Sequence, residues 1–149
     1  DYIKRLIGLP GDTIQIIDYD LYLNGVKINK KKIENKTIIN CGDNIEDPDF
    51  YEETLPNGKK YITVYRKQGS MKNTDKFIVP ENHFFFMGDN RDCSKDSRYL
   101  GSVGYVNFNN FVGKAQIIFF SNNKKKGPFI KFWRWNHSIR FNRLFTKIK

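Results

Sequence analysis

Cysteine, histidine and long apolar runs are scarce in this sequence, and each scarcity excludes a class of protein. Its 149 residues contain two cysteines and two histidines. Two cysteines do not make a disulfide framework, although Cys41 and Cys93 could pair in an oxidising compartment. Histidine is sparse and no Gly-x-Ser-x-Gly motif is present, so a conventional catalytic triad is not expected. No window approaches ~18 consecutive apolar residues, so we expect no membrane span and no signal peptide.

Acidic residues are absent from the C-terminal segment. Residues 124–149 hold nine Lys or Arg and no acid, whereas the first 123 residues hold 17 basic and 16 acidic groups. The aromatic and basic composition of residues 129–145 is typical of segments at a membrane surface. The same composition suits nucleic acid, and plain packing of the aromatics on a β-core is a third alternative. Composition leaves these alternatives open; we favour a lipid surface and expect no nucleic-acid partner.

The order of apolar runs and turns predicts a mainly β protein. Leu9-Pro10-Gly11-Asp12 is typical of a type II turn, and Asn24-Gly25 of a two-residue hairpin turn. The predicted strands are Tyr2–Ile7, Thr13–Ile17, the two arms of a hairpin over 21–28, Tyr61–Tyr65, a fully buried Phe84–Met87, and Val112–Phe120. Residues 1–123 are expected to form the β-core, with an exposed β-ribbon excursion over about 30–76, and 124–149 a separate tail.

Directly after the apolar run Phe84–Met87, the polarity of the sequence inverts. Residues 88–99 alternate acidic and basic side chains, with two serines among them. Asp89, Asp92 and Asp96 can each find an arginine nearby, which predicts a loop locked by its own ion pairs. A loop at the end of a buried strand is a common place for functional residues. This loop would orient hydroxyls and amides but supply no nucleophile.

Metal binding is the main alternative for this loop, and the residue pattern argues against it. A calcium loop of the EF-hand type that began at Asp92 would need Gly at its sixth position and Glu at its twelfth. Ser97 and Val103 occupy those positions. The arginines and Lys95 would also repel a cation. We therefore expect neither a metal nor a cofactor.

One lysine lies in an apolar context. Lys4 is flanked by Tyr2, Ile3, Leu6 and Ile7. A lysine that acts as a general base must have its pKa lowered from ~10.4 towards ~7–8, and burial among apolar groups has that effect. An edge-strand lysine that discourages aggregation would show the same spacing, so spacing alone does not decide the role of Lys4.

Two stretches taken together resemble bacterial type I signal peptidase. They are Tyr2-Ile3-Lys4-Arg5-Leu6-Ile7-Gly8-Leu9-Pro10-Gly11-Asp12 and, much later, Met87-Gly88-Asp89-Asn90-Arg91-Asp92-Cys93-Ser94-Lys95-Asp96-Ser97-Arg98-Tyr99-Leu100-Gly101. The resemblance extends through Val112-Gly113-Lys114-Ala115 and covers most of the chain. It implies an antiparallel β-sheet catalytic core and a membrane-bound serine endopeptidase with a Ser/Lys dyad.

The resemblance implies a role for each matching position. Lys4 is similar to the general base, and Ser94 to the serine whose hydroxyl orients that base. The remaining matches are supports and substrate contacts: Asp96 and Arg98 as the ion pair that braces the loop, Asp89 and Arg5 as further charged supports, and Asp1, Tyr2 and Ile3 as the strand on which the substrate pairs. Pairing there would follow the strand-addition mode, with small side chains preferred as in Ala-x-Ala cleavage sites.

The sequence departs from the family pattern at two places. Cys93 stands where the family more often has Asn, and we expect a tolerated change with some thiol reactivity. The family's nucleophilic serine, in a Ser-Met-x-Pro motif before the lysine, is not in this chain. Ser70-Met71 lacks the Pro and follows Lys4, so we interpret it as a chance match. The chain also begins without Met inside a predicted strand, so we expect an inactive piece of a longer protein.

The resemblance therefore predicts the catalytic domain of an enzyme that removes signal peptides from exported preproteins. It would lie on the outer, periplasmic face of a bacterial inner membrane. The alternative is a remnant or module without catalytic activity that binds lipid or nucleic acid through its basic tail. In that alternative the tail dominates the function and Lys4 has no special role.

Overall fold

The computed structural model describes residues 2–35, 39–41, 44–46, 48–66, 71–121 and 139–148. The chain divides into two compact units, Asp1–Phe111 and Val112–Lys149. The first unit is built almost wholly of antiparallel strands, which confirms the predicted fold class. The strands are β1 Arg5–Gly8, β2 Thr13–Ile17, β3 Asp20–Leu23, β4 Val26–Lys27, β5 Asn29–Ile33, β6 Ile39–Cys41, β7 Asn44–Glu46, β8 Asp49–Thr54, β9 Lys60–Tyr65, β10 Phe77–Ile78, β11 His83–Met87 and β12 Val106–Asn107.

The sheet that positions the site has the order β1-β11-β12. Strand β1 is antiparallel to β11, with Arg5 opposite Met87 and Leu6 opposite Phe86. The residues that precede β1 therefore lie beside the residues that follow β11. This pairing brings the N-terminal stretch next to the charged loop that leaves β11.

The structure corrects two strand predictions in this sheet. The predicted strand Tyr2–Ile7 begins only at Arg5, because the pairing with β11 starts there. Within β11, Phe85 and Met87 are buried but Phe84 and Phe86 are only partly so. An antiparallel strand turns alternate side chains to opposite faces. Phe84 and Phe86 pack instead against Phe111, with ring centroids 4.8 and 5.3 Å apart.

A second sheet has the order β10-β2-β3-β4 and confirms the predicted turns. Gly11 has a φ of 86°, and the amide of Asp12 donates to the carbonyl of Leu9 at 3.0 Å. Asn24 and Gly25 have φ values of 53° and 77°, the left-handed pair that a two-residue hairpin turn requires. The core combines apolar residues of this sheet with residues of β1, β9 and β11 and with two residues next to strands: Ile7, Ile14, Ile16, Leu21, Ile28, Tyr61, Phe77, Val79, Phe85 and Met87.

The excursion contains a three-stranded sheet, β5-β8-β9, and a two-stranded ribbon, β6-β7. The expectation of a β-ribbon is confirmed, but the expectation that the whole excursion is exposed is wrong. Phe50 and Glu53 of β8 and Tyr61 and Thr63 of β9 are buried. One face of the hairpin β8–β9 is therefore covered by the rest of the first unit.

In the second unit, the predicted strand Val112–Phe120 is wrong. Over residues 112–121 the structure has only an isolated bridge between Ile117 and Lys147. In the described ranges, residues 116–121 exchange backbone hydrogen bonds with residues 140–148, but these do not form a regular ladder. Val112 is 86% exposed and Phe119 is 74% exposed, so the apolar run is not buried as a regular strand. Residues 122–138 lie outside the described residues, and a short 3-10 helix covers Phe141–Arg143.

Candidate active site

Lys4 and Ser94 meet although 90 residues separate them. The Lys4 Nζ donates a hydrogen bond to the Ser94 Oγ at 2.9 Å. Lys4 immediately precedes β1, and Ser94 lies in the loop that follows β11, so the pairing of the two strands creates this contact. Ser94 is buried and Lys4 is partly buried. The amine is thus held by a buried hydroxyl, while Lys4 itself stays partly exposed.

The carboxylate of Asp96 lies behind Ser94 and is completely buried. It accepts hydrogen bonds from the Gly88 amide at 2.9 Å and from the Nε and Nη2 of Arg98, each at 2.8 Å. Burial alone would raise the pKa of Asp96, but Arg98, the Gly88 amide and the Ser94 hydroxyl together hold it below its ordinary value. Since the Ser94 hydroxyl interacts with a carboxylate, its oxygen remains available to accept from Lys4.

Arg5 and Asp89 form a two-pronged ion pair at the edge of the site. The Arg5 Nε and Nη2 donate to the two oxygens of Asp89 at 2.7 and 2.9 Å. The hydrogen bond with Asp89 raises the pKa of Arg5 against the opposing effect of burial. Because Arg5 is next to Lys4 in the chain, this pair ties the lysine's strand to the start of the loop.

We expected the loop to be held only by ion pairs among its own residues, but Arg91 pairs with a residue outside the loop. Its guanidinium pairs with Glu53 of β8, 38 residues away, at 3.1 Å (Nη1 to Oε1) and 2.6 Å (Nη2 to Oε2). The side chains of Arg91 and Glu53 are only 2% and 1% exposed. Sequence reasoning missed Glu53 because an acid in a polar stretch gives no sign of burial. A signal was present in the two tyrosines of β9, which can supply hydroxyls to a buried carboxylate.

The predicted substrate strand is only partly described. Tyr2 and Ile3 are 87% and 77% exposed, and Asp1 lies outside the described residues. Among the described strands, β1 has β11 on one side and none on the other. Residues 2–4 therefore border an open edge beside the Lys4 amine.

Cys93 differs from the expectation of a reactive thiol, because it is disulfide-bonded. The side chain of Cys41 and the whole of Ser70 lie outside the described residues. Within the described part of the chain, His, Cys, Asp and Glu form no group suited to a metal ion. The described residues also include no helix long and apolar enough to cross a membrane.

Comparison with known proteins places this chain in a family by its sequence. A family model described as signal peptidase, peptidase S26, matches residues 1–120, and these contain both Lys4 and Ser94. The chain belongs to this family. The signal peptidase I of Rickettsia akari (strain Hartford) is 40% identical over 99% of this chain and 59% of its own length. That of Rickettsia typhi (strain ATCC VR-144 / Wilmington) is 43% identical over 99% of this chain and 53% of its own length.

The chain spans a little over half the length of these curated relatives. A crystal structure of a signal peptidase I from Enterococcus faecalis V583 is 28% identical, covering 74% of this chain and 78% of that one with a TM-score of 0.39. Membership of the S26 family therefore rests on the sequence matches.

Proposed function

We propose that this chain carries the general base of a serine endopeptidase that removes signal peptides from exported preproteins. The observation that carries the proposal is the 2.9 Å hydrogen bond between the Lys4 Nζ and the Ser94 Oγ. It provides one oriented amine beside an open strand edge. A lysine amine in its neutral form can serve as the single proton acceptor that acyl transfer to a serine requires.

In the proposed reaction, Lys4 first takes the proton from the nucleophilic serine hydroxyl as the serine oxygen attacks the scissile carbonyl. The resulting ammonium returns that proton to the departing amine when the peptide C–N bond breaks. A water then loses a proton to Lys4 as its oxygen attacks the acyl ester. The Lys4 ammonium returns that proton to the serine oxygen when the ester C–O bond breaks, which releases the second product and restores both the serine hydroxyl and the neutral amine. Ser94 and Asp96 hold the amine in one direction throughout, so little of its freedom has to be lost in the transition state.

The substrate of the proposed reaction is an extended segment with small side chains before the cleaved bond. Residues 2–4 border an unpaired edge among the described strands, which supports binding by strand addition. The hydrogen bonds of the peptide backbone would place the scissile bond alongside Lys4. Signal peptides end in such small-residue segments.

We also propose which residue is the nucleophile of this enzyme and at which membrane the enzyme lies. In the family pattern the serine belongs to a Ser-Met-x-Pro segment before the lysine, and the nucleophile of the proposed enzyme is the serine of such a segment. The enzyme would be anchored in a bacterial inner membrane with the site on the outer face, and the basic tail would contact anionic lipid. The composition of residues 124–149 supports that contact.

The test is cleavage of a preprotein by the protein expressed from its complete reading frame. Lys4→Met removes the amine and keeps an unbranched side chain of similar shape, so we expect loss of cleavage. Lys95→Met is the matched control, because Lys95 is exposed in the same loop next to Ser94. Full cleavage by the Lys4→Met variant would refute the dyad. An upstream sequence without Ser-Met-x-Pro would refute the proposed nucleophile.

A further inference from the structure

The hairpin β8–β9 lies directly against the loop that carries Ser94. The amide of Val64 donates to the carbonyl of Asp89, and the amide of Arg91 donates to the carbonyl of Val64, both at 2.9 Å. Val64 and Asn90 form a parallel bridge. The amide of Arg66 also donates to the Asp92 Oδ2 at 2.6 Å. The strand β9 therefore supports the first half of the loop through its backbone.

The side chains of the hairpin reinforce this contact at a buried cluster around Glu53. Its carboxylate pairs with Arg91 and accepts hydrogen bonds from the hydroxyls of Tyr61 at 2.9 Å and Tyr65 at 2.8 Å. Burial alone would lower the pKa of Arg91, but the charge of Glu53 raises it above its ordinary value. Among the described residues the buried Arg91 Nε has no hydrogen-bond partner, so the charge of Arg91 is balanced by Glu53, and a lone buried charge destabilises strongly.

Tyr61 also reaches the lysine side of the site. The Arg5 guanidinium lies over the Tyr61 ring, with its central carbon 4.2 Å from the ring centroid. A cation over an aromatic face is held by electrostatic attraction. Tyr61 therefore contacts the residue next to Lys4 with its ring, and the partner of Arg91 with its hydroxyl.

Arg91 is connected in turn to the groups that hold Ser94. The Arg91 carbonyl accepts a hydrogen bond from the Arg98 Nη2. Arg98 braces Asp96, and Asp96 interacts with the Ser94 hydroxyl that receives the Lys4 hydrogen bond. An unbroken series of contacts thus runs from the hairpin to both partners of the candidate catalytic pair.

We propose that Glu53 and Tyr61 of the hairpin β8–β9 are positioning residues for the Lys4–Ser94 pair. This inference rests on the proposed function, because it assigns the hairpin a part in the same reaction. Glu53 fixes the loop through Arg91, and Tyr61 fixes the start of β1 through Arg5. Neither residue contacts the reacting atoms, so both affect the turnover number rather than substrate binding.

The first test compares Glu53→Gln with Glu52→Gln in the protein expressed from its complete reading frame. Glu52 is the neighbouring acid on β8, and it pairs with Lys60 on the solvent side, where both side chains are exposed. We expect Glu53→Gln to lower kcat by about 100-fold with KM little changed, since displacements of about 1 Å have such effects. Glu52→Gln should keep the wild-type kcat.

The Glu53→Gln variant leaves Arg91 as a lone buried charge, so stability must be separated from positioning. The double variant Glu53→Gln/Arg91→Met removes both charges and should regain most of the melting temperature while kcat stays low. Recovery of kcat together with the melting temperature would show a purely structural role and overturn the proposal for Glu53. The pair Tyr61→Phe and Tyr61→Leu tests the ring. The phenylalanine loses only the hydroxyl bound to Glu53 and keeps the surface under Arg5, so the leucine should lose much more of kcat than the phenylalanine. Equal kcat in the two variants would overturn the proposal for Tyr61.

A second readout does not depend on activity. Mass spectrometry after brief acetylation should show Lys4 labelled faster in the double variant than in the wild type or in Glu52→Gln. Equal labelling of Lys4 in all three proteins would overturn the proposal. If the wild-type protein cleaves no preprotein, the proposed function fails, and this labelling alone decides whether the hairpin positions Lys4.

Discussion

Gly88 and Ser94 are packed so closely that no side chain fits between them. A Cβ atom on Gly88 would lie 2.2 Å from the Ser94 Oγ and 2.4 Å from the Ser94 Cβ. The φ angle of Gly88 is not positive, so its backbone conformation would accept alanine. The requirement for glycine is therefore steric, and it concerns the hydroxyl that receives the Lys4 hydrogen bond.

We predict that Gly88→Ala lowers kcat by about 100-fold, because Ser94 must move away from Lys4. Overpacking should also lower the free energy of unfolding by ~1–3 kcal/mol. Gly101→Ala is the control, since a Cβ there meets nothing within 4 Å. The measurements are preprotein cleavage and thermal unfolding. A Gly88→Ala protein with the wild-type kcat would contradict the close packing.

The buried pair Asp96–Arg98 predicts how stability depends on pH. The pKa of folded Asp96 lies below its ordinary value of 3.8, because the stabilising effect of Arg98 outweighs burial. The stability that Asp96 contributes is therefore fully present above pH 3.8, and it is lost as the pH falls through the folded pKa. Urea unfolding at a series of pH values should show this loss in the wild type.

Asp96→Asn removes the titrating carboxylate, so it is the variant to compare with the wild type in that series of unfolding measurements. It leaves Arg98 as a lone buried charge, so we expect a loss of ~3–5 kcal/mol at neutral pH and a weaker dependence below pH 3.8. Asp18→Asn is the control, because Asp18 and its partner Lys72 are exposed, and such pairs contribute ~0–1 kcal/mol. An acid dependence that is the same in the wild type and in Asp96→Asn would contradict the prediction.

Local chemistry explains which parts of the fold could be predicted from the sequence. The turn at Asn24-Gly25 was predictable because glycine and asparagine tolerate positive φ, which the hairpin requires. The strand Thr13–Ile17 was predictable from its apolar alternation. The strand predicted over Val112–Phe120 failed because its described contacts with residues 140–148 amount to a single bridge, and apolar spacing carries no information about how regularly a partner pairs.

The candidate site also has one contact that could be predicted from the sequence and one that could not. The resemblance indicated that Lys4 and Ser94 form a pair, and their 2.9 Å contact agrees with it. The ion pair between Glu53 and Arg91 was not predictable, because a partner 38 residues away is chosen by the path of the chain. Charge alternation favoured partners within the loop, but the Arg91 guanidinium is buried in the first unit, where it contacts Glu53 and the hydroxyls of Tyr61 and Tyr65.

Lipid binding by the basic tail can be tested with a peptide alone. A synthetic peptide of residues 124–149 carries nine Lys or Arg and two tryptophans without an acid. We expect it to bind vesicles that contain anionic lipid and to be released by salt, since each cation near the surface contributes ~1 kcal/mol. Replacing both tryptophans by alanine should weaken binding. Equal binding to neutral vesicles, or tighter binding to RNA, would contradict the lipid-surface role.

The bond at Cys93 predicts that the loop beside Ser94 responds to reductant. Cys93 is disulfide-bonded, so alkylation of the native protein should leave the Cys93 peptide unmodified. Dithiothreitol should lower the free energy of unfolding by ~2–4 kcal/mol, because the reduced chain gains entropy when unfolded. In Cys93→Ser the unfolding transition should already be lower and should no longer respond to the reductant. Alkylation of Cys93 without prior reduction would show that this thiol is free in solution, and the predicted effect of reductant would then disappear.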